Sequence, residues 1–125
     1  MPQFRNLLLL LASALLLACS GASQQEIDER EGARQLAEAR RALVQKNYDA
    51  ARDTIMALRK HHPLAINARR QAILLLDSIE LFAAQDSLDH LPADLEPTSL
   101  NVVPERERLD VKVKFFERKL KHDTK

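Results

Sequence analysis

The chain has 125 residues, with 19 Lys and Arg against 18 Asp and Glu and a formal net charge of +1. So even a balance excludes bulk binding to nucleic acid, which needs a net basic face, and a single cysteine excludes an internal disulfide. Two glycines, no tryptophan and few aromatics beside abundant Ala, Leu, Arg and Glu point to one small all-α domain with an aliphatic core.

Arg5 is the only charge before Cys19, and Leu7 to Leu17 is leucine and alanine broken only by Ser13. Small residues follow, from Ala18 to Ser23. A basic start, a short apolar run and a small-residue exit describe a signal peptide over residues 1–18. The run falls short of the roughly 20 apolar residues that a membrane-spanning helix needs. Leu16-Leu17-Ala18-Cys19 resembles the lipobox of bacterial lipoproteins. That resemblance implies cleavage between Ala18 and Cys19, a diacylglycerol on the Cys19 thiol and an N-acyl chain on its amine. These are the only groups expected on the protein; no cofactor or metal is. A plain secretory signal or an uncleaved anchor is the alternative, and either leaves a lone exported thiol unexplained. Two or more acyl chains hold a protein stably on a bilayer, where one holds it marginally. By the same resemblance, Ser20 in place of a retention aspartate favours the outer membrane, with the domain facing the periplasm.

Residues 19–25 are small and polar, a tether before a helical domain over 26–125. Glu26, Asp28, Glu29 and Glu31 suit the positive end of a first helix, over about 27–45, although Gly32 weakens its early turns. Tyr48, Ala51, Ile55 and Leu58 step by three and four, giving a second helix over 48–61. Arg59, Lys60, His61 and His62 complement its negative end before Pro63. A seam of Ala65, Ala68, Ala72, Leu75, Ile79 and Phe82, widened by Leu76 and Ala83, predicts a long third helix over 64–87.

Pro92, Pro97 and Pro104 make 89–103 a linker. Beyond it, Leu109, Val111, Val113 and Phe115 alternate as in a strand, while Leu109, Val113, Phe116 and Leu120 make a helical seam. A lone strand would leave its backbone groups unpaired, so a helix over 104–121 is expected. From Gln71 to Pro104 there are acids and no Lys or Arg, whereas the segment from Glu105 onward is predominantly basic. The final helix is therefore expected to fold back antiparallel on the third, with charge choosing register and the apolar seam supplying the energy.

Ala39, Tyr48, Ala51, Ile55 and Pro63 fall where a tetratricopeptide (TPR) repeat has a small residue, an aromatic, alanine, a large apolar residue and proline. The resemblance covers roughly Gly32 to Pro63; Lys46 stands at the usual turn glycine. It implies a TPR-like hairpin, followed here by the long helix and the antiparallel C-terminal helix. One repeat cannot bury its own face, so the third helix is expected to act as its neighbour. Small envelope lipoproteins with such hairpins commonly serve as adaptors.

No GxSxG, P-loop or HExxH motif is present. His61-His62 invites a metal reading, but adjacent histidines diverge on a helix and no ligand-spaced Cys or carboxylate lies nearby. Asp86, Asp89 and His90 are the candidate acid/base group of an accessory subunit or weak hydrolase. Arg40-Arg41 and Arg69-Arg70 could form a basic stripe for lipid headgroups or cell wall, or could simply be solvated faces. The function expected is a non-enzymatic, membrane-anchored adaptor. It would bind an envelope protein through Tyr48, Ile55, Arg69 and Arg70, with no nucleic acid and no small-molecule substrate.

Overall fold

The computed structural model describes residues 21–91 and 102–125. The expected signal segment with Ala18, the expected lipidation site Cys19 and most of the expected linker lie outside the described residues. Among the described residues there are four α-helices and no strand: α1 (Gln24–Val44), α2 (Tyr48–His61), α3 (Ile66–Asp89) and α4 (Val102–Asp123).

The chain enters α1 through a capping box. Ser23 Oγ accepts from the Glu26 N–H at 3.2 Å, and Glu26 Oε2 accepts from the Ser23 N–H at 2.8 Å. The helix therefore starts three residues before the expected position 27, and Gln24 and Gln25 belong to it rather than to a tether. Its other end closes with paired bonds, Asn47 N–H to Ala42 O and Lys46 N–H to Leu43 O, each at 2.9 Å. That closure sets Lys46 at φ 57, the left-handed conformation that glycine usually occupies. Asn47 Oδ1 then accepts from the Ala50 N–H at 3.2 Å and starts α2.

α1 and α2 form an antiparallel hairpin, and α3 packs against both. Leu36 and Ala39 of α1, Ala51, Ile55 and Leu58 of α2, and Ala65, Ala68, Ala72 and Ile79 on the α3 side build the core. Alanine brings the axes close, and Gly32 brings them closer still. A Cβ at Gly32 would lie 2.7 Å from the Ala68 Cβ and 3.0 Å from the Ala65 Cβ.

α3 has no side-chain cap of its own. α1 supplies one instead: Glu29 accepts from the Asn67 and Ala68 N–H groups at 2.8 and 3.2 Å, and Asp28 Oδ2 accepts from the Leu64 N–H at 3.1 Å. Two acids expected at the dipole of their own helix thus cap a different one. They can because α1 and α3 run parallel, with their N-termini at one end of the bundle. The Gln24 amide holds the Asp28 carboxyl below its ordinary value against the burial that opposes it, and the Leu64 N–H and His62 add to the lowering.

α4 packs on α3 alone among the described elements. Lys112 reaches Glu80 at 2.6 Å and Lys119 reaches Asp77 at 2.7 Å, so the pairing climbs one helix as it descends the other. Leu109, Val113, Phe116 and Leu120 are half-buried, whereas Val111 and Phe115 are exposed. That is the helical seam and not the alternating strand pattern. Leu81 and Ala84, on the α4 side of α3, are buried as well. Phe82, the last member of the expected α3 seam, is 47% exposed. No helix among the described elements covers it there.

Candidate functional site

Where the α1–α2 turn meets the C-terminal part of α3, two shallow grooves of about 490 and 400 Å³ adjoin and share Lys46, Tyr48 and Asp86. The turn geometry positions Lys46: its left-handed backbone brings Nζ to Asp86 Oδ1 at 2.5 Å. The hydrogen bond from Lys46 holds the Asp86 carboxyl below its usual range, and the same bond pushes the Lys46 ammonium up. Tyr48, at the start of α2, is half-buried between the two grooves. Leu43, Val44 and Phe82 line the apolar side, and Asn47, Ser87 and His90 line the polar side. Val44 is 84% exposed, an unusual position for a large apolar side chain.

Next to this site, Glu80 is clamped from two sides, by Arg52 of α2 and Lys112 of α4. Burial pushes its carboxyl up, but hydrogen bonds from Arg52 and Lys112 outweigh that and hold it below the ordinary value. Glu80 thereby ties three helices together behind the groove.

Of the residues expected to bind a partner, Tyr48 lies in the groove. Ile55 does not: it is 0% exposed and sits in the core, so no partner can touch it without opening the hairpin. A residue matching the core position of a repeat could not also be its surface. Arg69 and Arg70 lie elsewhere, in a separate groove of about 310 Å³ with Arg59, Ile66 and Ile73. Arg40 donates to Gln71 Oε1 at 3.1 Å and lies outside that groove. Val44 and Phe82 were not marked by their sequence pattern. Val44 closes a helix, and Phe82 fits a core seam.

Asp86, Asp89 and His90 are adjacent but do not form a relay. His90 Nδ1 lies 2.7 Å from the Asp86 backbone carbonyl and not against its carboxylate, which Lys46 occupies. A carboxyl held below its usual range is also the opposite of a base tuned toward neutral pH. His62 lies 3.6 Å from Asp28 and 3.4 Å from the Gln35 amide, while His61 is exposed at the end of α2. Among the described residues no group of three or more His, Cys, Asp or Glu is placed to hold a metal ion, and no helix is long and apolar enough to cross a membrane.

Comparison of the chain with protein-family models, with curated proteins and with solved structures finds no match.

Proposed function

We propose that the protein is a lipid-anchored, non-enzymatic adaptor of the bacterial envelope. Its anchor is acylated Cys19, and it docks a segment of another envelope protein in the Tyr48 groove. One observation carries this: the groove lies at the end of the bundle opposite the one where the anchor-bearing segment leaves. α1 rises from Ser23 at one end to Lys46 at the other, about 30 Å at 1.5 Å per residue. An anchor at one end and an open, half-apolar groove at the other is the layout of a module that presents a docking site away from its membrane.

Two features support a repeat-like hairpin. The residues that matched the repeat's buried positions, Ala39, Ala51 and Ile55, are all 0% exposed. Lys46, at the repeat's turn glycine, has the backbone conformation that glycine favours. The partner segment that fits is one offering an apolar side chain to Val44 and Phe82 and polar groups to Asn47 and His90. Interfaces of this kind owe most of their affinity to a few buried aromatic and aliphatic anchors.

The test is a photo-crosslinking amino acid placed at Val44 or Phe82, with an exposed control at Arg34, in cells that process the chain. The expected result is one crosslinked partner, identified by mass spectrometry, from the groove positions only, and its loss on Phe82→Glu when the probe is at Val44. Equal labelling from all three positions, or none, overturns the adaptor proposal. Cys19→Ser should release the protein from the membrane fraction; retention would remove the lipid anchor from the proposal.

A further inference from the structure

The end of the bundle opposite the Tyr48 groove gathers the N-terminus of α1, the C-terminus of α2 and the N-terminus of α3, joined by the Glu29 and Asp28 caps. Along the flank of this end runs the shallow groove lined by Arg59 of α2 and by Ile66, Arg69, Arg70 and Ile73 of α3. Among the described residues none of the three arginines pairs with a carboxylate; Arg69 donates to the Pro63 carbonyl at 2.9 Å. Ile66 and Ile73 are 55% and 47% exposed between them. Ile27 and Leu64, at the tip of the same end, are also exposed.

Glu26, Asp28 and Glu29 each turn onto backbone N–H groups, and Glu31 pairs with Arg34 at 2.9 Å. Arg59 and Arg70 thus face solvent beside Ile66 and Ile73, with no carboxylate paired to them among the described residues. Such side chains place their charge at headgroup level and their apolar parts below it.

The position of this face decides its occupant. Cys19 is four residues before the Ser23 cap, so whatever path the chain takes, the two are within about 14 Å at full extension. A lipid on Cys19 brings this end, and not the Tyr48 groove, against the bilayer. We propose that the Arg59, Arg69, Arg70, Ile66 and Ile73 face is a seat for anionic phospholipid headgroups that fixes the tilt of the anchored domain. The seat rests on the acylation of Cys19 proposed above.

The experiment uses the full processed chain, with Cys19 acylated, carrying a spin label at Ile66→Cys or, as control, at Val44→Cys. The protein is reconstituted into vesicles of phosphatidylglycerol and phosphatidylethanolamine, or of phosphatidylcholine alone. Flotation reads the anchor, and the label's access to a water-soluble paramagnetic relaxer reads the seat. In the anionic vesicles, access at position 66 should fall severalfold below that at position 44. It should return to the control level in phosphatidylcholine and in the Arg59→Gln, Arg69→Gln, Arg70→Gln variant, which still floats and keeps its helical circular dichroism. Flotation with equal access at both positions in anionic vesicles overturns the seat and leaves the anchor standing. Equal protection in both lipids overturns the role of the arginines. Protection already present in uncharged detergent points to a second copy on this face and also overturns the proposal. Loss of flotation overturns the anchor and the seat together.

Discussion

Gly32 shows how one residue sets the approach of two helices. In a helix interior glycine is disfavoured by about 1 kcal/mol relative to alanine, and on the sequence alone it weakens α1. The crossing with α3 explains it, since a methyl there would stand 2.7 Å from the Ala68 Cβ, an atom fixed to backbone. Overpacking of this kind costs about 1–3 kcal/mol. Gly32→Ala is therefore expected to lower stability by about 1 kcal/mol despite its gain in propensity, as read from urea midpoints, with part of the loss recovered by adding Ala68→Gly. A more stable Gly32→Ala would mean that the helices can part freely at this crossing. Lys46 poses the opposite case. Its φ of 57 is unfavourable for a side-chain-bearing residue, and what it gains is an ion pair with Asp86 in which the lysine side chain is 67% exposed. Exposed pairs contribute little. Lys46→Gly should then leave the urea midpoint unchanged or raise it, while reducing crosslinking from Val44. A lowered midpoint would show that the Asp86 pair holds the turn together.

At the scale of elements, much of the architecture was legible in the sequence. The α2 boundaries follow from the Tyr48, Ala51, Ile55, Leu58 spacing. The antiparallel return of α4 follows from an acidic α3 facing a basic final segment, and Glu80–Lys112 and Asp77–Lys119 are the pairs that realise it. What could not be read is also physical. α3 is buried on two faces, one against the hairpin and one against α4, so a single seam cannot describe it, and Phe82 matches the seam spacing without being buried. The caps of α3 come from α1, across a gap of more than thirty residues that no local pattern reveals. The two grooves exist only because a turn and a distant helix end meet. The pairing of α4 has a consequence with a definite sign. The Glu80 carboxyl is held below its ordinary value by Arg52 and Lys112. Its contribution is complete above the usual carboxylate range and is lost as pH falls through the lower folded-state value. Hydrogen exchange corrected for intrinsic rates should show α4 losing protection in acid, below about pH 4, and Glu80→Ala should reproduce the loss at neutral pH by about 1–3 kcal/mol locally. Should the α1–α2 hairpin open first in either case, α4 is not held by this clamp.

For the whole molecule, the relevant quantity is the distance between its two ends. The helices fix the separation between the Ser23 end of α1 and the Tyr48 groove at about 30 Å, and with the proposed anchor at Cys19 only the residues between Cys19 and Ser23 add reach. If the partner is itself fixed relative to the bilayer, the groove must meet it at one height. A spacer of twenty Gly and Ser residues inserted between Ala22 and Ser23 adds a flexible chain of about 25 Å root-mean-square length. It touches no buried contact, because Gly21, Ala22 and Ser23 are exposed, so the urea midpoint should not move. Two effects are expected in the anchored protein. Crosslinking from Val44 should fall, because the effective concentration of the groove at the partner drops as the volume explored grows. The protection of position 66 in anionic vesicles should weaken as well, because the end is no longer pressed onto the headgroups by its own lipid. The two readouts need not fall together, since the groove and the basic face lie at opposite ends and share no residue. Reduced crosslinking with an unchanged seat would mean that height alone governs docking. Unchanged crosslinking would mean that the partner follows the groove wherever the tether lets it go, and that the rigid length of α1 serves the fold rather than the encounter.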